Sequence, residues 1–202
     1  TEGFSKRHPN VGVFLSTNAE AEVYEWSEIQ SGIFSHEVRS GLSGAADIND
    51  GAEITIEANP ATLNSEKIDA LKKAGFNRLS LGAQSFDDRM LRVLGRIHSA
   101  RDVEDDFNAA RSAGFENINL DLIYGIPGQT PLSWLETVEK ALSLGPEHLS
   151  AYCLTCGSDT ELGAKIGNGT VALPPEDAVC EMFLAASDLL CGAGYEHYEI
   201  SN

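Results

Sequence analysis

From residue 52 onward, strand-like apolar runs alternate with helix-forming stretches roughly every thirty residues. That rhythm restricts the chain to repeated βα units on a parallel sheet. Glu53–Ala58 reads as a strand stopped by Asn59-Pro60. Asn64 or Ser65 caps a helix through Ile68, Leu71 and Ala74, closed by Gly75. Arg78–Ala83 is the next strand, and Asp87 opens a short helix that stops at Gly95. Ser99 caps a helix with the apolar stripe Val103, Phe107, Ala110 and Ala113. Asn117–Tyr124 is a third strand with the exit turn Gly125-Ile126-Pro127-Gly128. Thr130-Pro131 begins a helix ended by Gly145-Pro146, and a fourth strand covers His148–Thr155. A helix over Ala178–Cys191 and a last strand over Tyr195–Ile200 complete the series.

The strands read as near-continuous apolar runs, which predicts a sheet covered on both faces. A partial or complete barrel and an open doubly wound sheet both satisfy the rhythm. No Gly-x-Gly-x-x-Gly follows a strand, so a dinucleotide fold has no support. The first fifty residues are less regular. Val11–Leu15 fits a short strand and Glu20–Arg39 a loose helix, followed by turn-rich Ser40–Gly44 and Asn49-Asp50-Gly51.

Fourteen Lys and Arg stand against 31 Asp and Glu, a formal net charge of −17. That surplus argues against nucleic acid and against an anionic membrane surface as partners. No apolar run reaches the length of a membrane span, and Thr1–Pro9 lacks the apolar core of a signal peptide, so cytoplasm is the expected location. The four cysteines, Cys153, Cys156, Cys180 and Cys191, are then expected reduced. Cys153 and Cys156 have the spacing of half a metal site. The plainer reading places Cys153 in a buried strand and makes the others small core residues.

In apolar strands the polar exceptions carry information. Glu57 ends the first strand, Gln84 ends the second, and Asp121 lies between Leu120 and Leu122 in the third. A buried carboxylate costs several kcal/mol unless it is paired or hydrogen-bonded, about the scale of a whole domain's margin. The carboxyl ends of βα strands share one face, where ligands bind. Three polar groups in the same relative place therefore point to one ligand site, although each alone could serve a local turn. Arg96 is a surface charge or a fork for a carboxylate ligand. His98 and His148 are acid–base or metal-ligand candidates by type, and capping or strand-start residues on the plainer reading. Neither Gly-x-Ser-x-Gly nor a P-loop occurs.

Longer motifs run through the same positions. They are Glu57-Ala58-Asn59-Pro60, Asn77 to Phe86, Leu94-Gly95-Arg96-Ile97-His98, Asn117 to Thr130, Glu147 to Tyr152, and Gly194-Tyr195 continuing at Tyr198 to Asn202. In order and spacing they resemble the radical S-adenosylmethionine proteins of the oxygen-independent coproporphyrinogen III oxidase group, and within it the haem-chaperone (HemW) branch. The resemblance covers residues 52–202, leaving 1–51 as a poorly matching N-terminal segment. It implies an α/β fold, a partial (βα)6 TIM-type barrel whose first strand would be missing from this chain. It also implies S-adenosyl-L-methionine and a [4Fe-4S] cluster as the family's cofactors. By motif, Glu57 would bind the methionine amino end. Gln84 and Arg96 would hold the ribose and carboxylate side, Asp121 the ribose hydroxyls, and Ile123 would lie beside the adenine.

The chain departs from that pattern in three places. No Cys-x3-Cys-x2-Cys occurs, so a cluster is not expected on this chain. The glycine-rich turn after the family's second strand is replaced near Val13–Ala19, and Leu154-Thr155-Cys156-Gly157 lacks the Glu usual in the branch. A fragment of a longer protein and a degenerate relative both fit these departures. The expected parent binds and delivers haem, with porphyrinogen oxidation as the alternative; the chain by itself is expected to be inactive or a weak binding module. An unpaired strand edge is expected to favour self-association.

Overall fold

The computed structural model describes residues 53–198. The expected segments before Gly51, and the 51/52 boundary itself, lie outside the described residues, as do Glu199–Asn202. Four parallel strands form one sheet in chain order, β1 (Thr55–Ala58), β2 (Arg78–Gln84), β3 (Asn117–Tyr124) and β4 (His148–Cys153). Between and after them come α1 (Ser65–Lys73), α2 (Asp88–Val93), α3 (Ala100–Ser112), α4 (Pro131–Leu144), α5 (Glu161–Gly167) and α6 (Glu176–Gly192).

Local chemistry sets the helix ends. Asn64 Oδ1 accepts the Lys67 amide at 2.8 Å to start α1. Ser99 and Asp102 form a reciprocal capping box on α3, and Thr130 with Ser133 does the same on α4, where Pro131 fills the first turn. Gly145 ends α4 in the left-handed region at φ 68°, a conformation that favours glycine. α5 is an element the sequence pattern did not reveal; Thr160 caps it by accepting the Gly163 amide at 3.0 Å.

The sheet has two unlike faces, which corrects the expectation of apolar strands covered on both sides. Successive strand residues point to opposite faces. Ile56, Leu79, Leu81, Ala83, Ile118, Leu120 and Leu122 point one way and are buried. Ile68 of α1, Val103 and Phe107 of α3, Trp134 and Val138 of α4, and Met182 of α6 join the same cluster. Each large apolar side chain so buried contributes about 1.5–3 kcal/mol. Thr55, Glu57, Arg78, Ser80, Asn119, Asp121, His148 and Ser150 point the other way and line a cavity. The hydrophobic runs looked continuous because small polar residues, Ser80, Asn119 and Ser150, occupy most of the alternate positions.

Ion pairs close the amino-terminal ends of the strands. Arg111 reaches the Glu147 carboxylate at 2.6 Å and the Gly145 carbonyl at 2.7 Å. Glu147 in turn accepts the Ile118 amide at 2.9 Å, fastening the β4 entry to β3. The expected strand at Tyr195–Ile200 is not formed over Tyr195–Tyr198. Side chains fasten that stretch instead of a ladder: the Tyr195 hydroxyl donates to the Pro146 carbonyl, and Tyr198 meets His148. β4 also ends at Cys153, two residues before the expected Thr155.

Candidate functional site

The polar sheet face opens on a cavity of about 990 Å³. Strand stagger puts Glu57, Ser80, Asn119 and His148 in register across all four strands. One step further along β3, Asp121 stands opposite Ser150. These residues form a continuous network. Ser80 Oγ donates to Asp121 Oδ2 at 3.0 Å, and Asn119 Nδ2 donates to Asp121 Oδ1 and to Ser80 Oγ, each at 2.8 Å. Asn119 Oδ1 meets His148 Nδ1 at 2.6 Å and the Ser150 hydroxyl at 3.2 Å. His148 Nε2 lies 2.6 Å from the Tyr198 hydroxyl.

The acceptor chemistry orients every member. An ionised carboxylate only accepts, so the Asn119 amide must turn Nδ2 toward Asp121 and Oδ1 toward His148. A carbonyl oxygen only accepts, so His148 carries a proton on Nδ1. Asn119 is buried at 2% exposure, and all its polar capacity is used. Each oxygen of Asp121 has one donor from the sheet and keeps further lone pairs, and the half-buried carboxylate borders the cavity. Charge-assisted bonds of this kind offset the cost of holding an anion there.

At the carboxyl end of β2 the backbone is strained. The register shifts between Leu81 and Gln84. Gln84 takes φ 63°, rare for a residue with a side chain, and the Ser85 amide bonds back to the Ala83 carbonyl at 2.7 Å. This tight turn swings the Gln84 amide over Gly82, where an added Cβ would stand 2.8 Å from Nε2. The buried Gln84 side chain has no hydrogen-bond partner among the described residues. His98, also buried, fixes the turn from behind through an Nε2 contact of 3.2 Å to the Ala83 carbonyl. The plainer reading of His98 had a capping or strand-start residue; it is neither, since Ser99 caps the following helix and the imidazole meets a carbonyl of β2.

Glu57, Gln84 and Asp121 therefore border one cavity, as their positions at strand ends predicted. Arg96 and Ile123 do not line it: Arg96 is half-buried in the loop before α3, and Ile123 is half-buried on β3 opposite Tyr152. Sequence reasoning missed Asn119 and Ser80; His148 does start β4, as its plainer reading had it, and its ring also joins the network. The available signal was the alternation Asn117, Asn119, Asp121 along β3. The cysteines depart from expectation: Cys180 and Cys191 are exposed on α6 rather than in the core, while Cys153 and Cys156 are half-buried. Burial pushes the Cys153 thiol up, opposed by a hydrogen bond with Tyr124. Among the described residues no three His, Cys, Asp or Glu side chains group as a metal site.

A parallel βα sheet, packed by helices on its apolar face and bearing carboxylates and amides on a polar face that lines a cavity, is the wall of a partial barrel. The profile of the Radical SAM superfamily matches residues 12–141, more than half of the chain, and the chain belongs to that superfamily. It is 42% identical over 154 residues to the haem chaperone HemW of Bacillus subtilis, covering 76% of this chain and 41% of that protein. Against the haem chaperone HemW of Escherichia coli it is 39% identical over 164 residues, covering 81% of this chain and 41% of that protein. The chain thus spans about two fifths of the length of these curated relatives. Among solved structures, coproporphyrinogen III oxidase (HemN) from Escherichia coli, a radical SAM enzyme, superposes with a TM-score of 0.64 at 32% identity, over 73% of this chain and 34% of that one. The archaeal Elp3 of Methanocaldococcus infernus superposes at 0.61 with 22% identity, over 66% of this chain and 32% of that one, a likeness of fold alone.

Proposed function

We propose that this chain is the S-adenosylmethionine-binding portion of a HemW-like protein that binds and delivers haem. The observation that carries the binding part is the Asp121 carboxylate, held by Ser80 and Asn119 with lone pairs free beside the cavity. A carboxylate so prepared suits a pair of sugar hydroxyls. The unpartnered amide of Gln84, seated over Gly82, suits a polar group of the same ligand. Glu57, exposed at the cavity, suits the ligand's ammonium end. Arg96 and Ile123 complete the proposed set from the neighbouring loop and strand. In the superfamily S-adenosylmethionine supplies a 5′-deoxyadenosyl radical when an iron–sulfur cluster reduces it. The four cysteines of this chain do not fit a cluster at Cys-x3-Cys-x2-Cys spacing. Binding of the nucleoside cofactor, without turnover by the chain alone, is the activity proposed.

The haem part rests on the likeness to the two HemW proteins at about 40% identity. The superposition on coproporphyrinogen III oxidase supports a second reading, decarboxylation of a porphyrinogen by the parent protein. No described helix is long and apolar enough to cross a membrane, and a cytoplasmic site of action belongs to the proposal. The net charge of −17 supports partners other than nucleic acid. β1 and β4 are the outer strands of the described sheet, and association of copies through such an edge is part of the proposal, tested by sedimentation velocity.

Equilibrium dialysis with labelled S-adenosylmethionine tests the binding proposal. Retention by the native chain, reduced at least tenfold by Asp121→Ala or Glu57→Ala with unfolding midpoints preserved, is the expected result. Equal retention by all three proteins would refute it. Haem titration of the full-length parent, followed by transfer to an apo-acceptor, separates delivery from porphyrinogen decarboxylation.

A further inference from the structure

We propose that Asn119 and His148 are positioning residues that preset the Asp121 carboxylate for a vicinal pair of hydroxyls; this rests on Asp121 being the ribose acceptor. Neither residue has to touch the ligand. Their effect passes through the direction of hydrogen bonds. Asp121 is pinned at both oxygens, by Ser80 on Oδ2 and by Asn119 on Oδ1, so its plane cannot rotate without breaking a bond. The Asn119 bond exists only while the amide keeps Nδ2 toward Asp121. A flipped amide would set Oδ1 against the carboxylate and repel it.

What fixes the amide is the far side of the network. His148 Nδ1–H and the Ser150 hydroxyl both converge on Asn119 Oδ1, at 2.6 and 3.2 Å. Tyr198 steadies the imidazole by its contact with Nε2 at 2.6 Å and by its ring, whose centroid lies 5.7 Å from that of His148. The line Tyr198–His148–Asn119–Asp121 thus carries orientation from the segment after α6 to the carboxylate on β3. Removing His148 takes away the shorter of the two donors to Asn119 Oδ1, and the Ser150 hydroxyl alone, at 3.2 Å, holds the amide and with it the Asp121 plane less tightly.

The test uses the full 202-residue chain and two ligands, S-adenosylhomocysteine and its 2′,3′-dideoxy analogue, titrated by calorimetry. Two lost hydrogen bonds to a charged acceptor correspond to a preference of roughly a hundredfold to ten-thousandfold for the diol ligand in the native chain. Asp121→Ala abolishes that preference. His148→Ala is expected to reduce it to within threefold, chiefly by weakening the diol ligand. His148→Asn is expected to restore it, because the asparagine Nδ2 can stand where the imidazole Nδ1 stood. A structural role for His148 would instead weaken both ligands alike, or lower the unfolding midpoint without changing their ratio, and either result overturns the proposal. If the native chain shows no preference and Asp121→Ala changes nothing, the ribose reading of Asp121 fails and takes the positioning role with it. If Asp121→Ala abolishes the preference while His148→Ala retains it, only the positioning role fails.

Discussion

Replacing Asn119 by leucine keeps the side-chain volume close to constant and removes all the polar capacity at the centre of the network. Four hydrogen bonds vanish with it, two from Nδ2 and two to Oδ1. Asp121 keeps only its Ser80 donor, and a lost bond to a charged group costs about 1.5–3 kcal/mol. The His148 Nδ1–H and the Ser150 hydroxyl lose their acceptor; if both stayed dry the cost would be about 1–3 kcal/mol each. Both are half-buried residues on the cavity wall, so water replaces part of what is lost. Burying leucine at a site with 2% exposure returns about 2 kcal/mol. The balance is a destabilisation of about 2–4 kcal/mol, well above that of an ordinary surface substitution. Urea unfolding followed by far-UV circular dichroism measures it, with the m-value unchanged if the unfolded state is unaltered. Ser112→Ala, on the exposed end of α3, serves as the reference and should move stability by less than about 0.5 kcal/mol. A loss under about 1 kcal/mol for Asn119→Leu would show that the network does not hold the sheet face as its geometry requires.

Three further outcomes are expected. Trp134→Phe removes the indole N–H that donates to the Met182 carbonyl at 3.0 Å and loosens the α4–α6 seam beside Tyr124; calorimetric unfolding should show a loss of about 1–3 kcal/mol. Gly82→Ala should leave urea stability within about 1 kcal/mol, because the clash is with the mobile end of Gln84, while weakening S-adenosylmethionine retention in dialysis. The Ser99 hydroxyl and amide hold the Asp102 carboxyl below the usual aspartate range. Its contribution to stability is therefore present above the unfolded-state value and lost as pH falls through the folded one, so Asp102→Asn should flatten the fall in stability between roughly pH 4 and 2 in acid titrations.

Much of the fold was legible because its punctuation is local. Glycines after helices, Asn64, Ser99 and Thr130 before them, and the β-rich run Asn117–Tyr124 each signal through their nearest neighbours, and β3 has the bounds its sequence predicted. The two-faced sheet was not legible in the same way. Serine and asparagine in a strand do not interrupt an apolar run as a charge does, so the inward row of Ser80, Asn119 and Ser150 passed as filler. Their meaning comes from register, which places residues 39 and 29 positions apart side by side. Glu57, Gln84 and Asp121 stood out because a carboxylate or a large amide is costly in an apolar strand. Over Tyr195–Tyr198, the described part of the last expected strand, the difference has a related reason: the hydrophobic pattern fits a ladder, but the partners there are single side chains.

The most direct measurement is a crystal structure of the chain with S-adenosylhomocysteine. The predicted result is both ribose hydroxyls donating to Asp121, with the Ser80 and Asn119 bonds intact and the Gln84 amide engaged by the ligand. A ligand bound away from the polar sheet face, or with its hydroxyls turned from Asp121, would contradict the assignment of this surface as a nucleoside site.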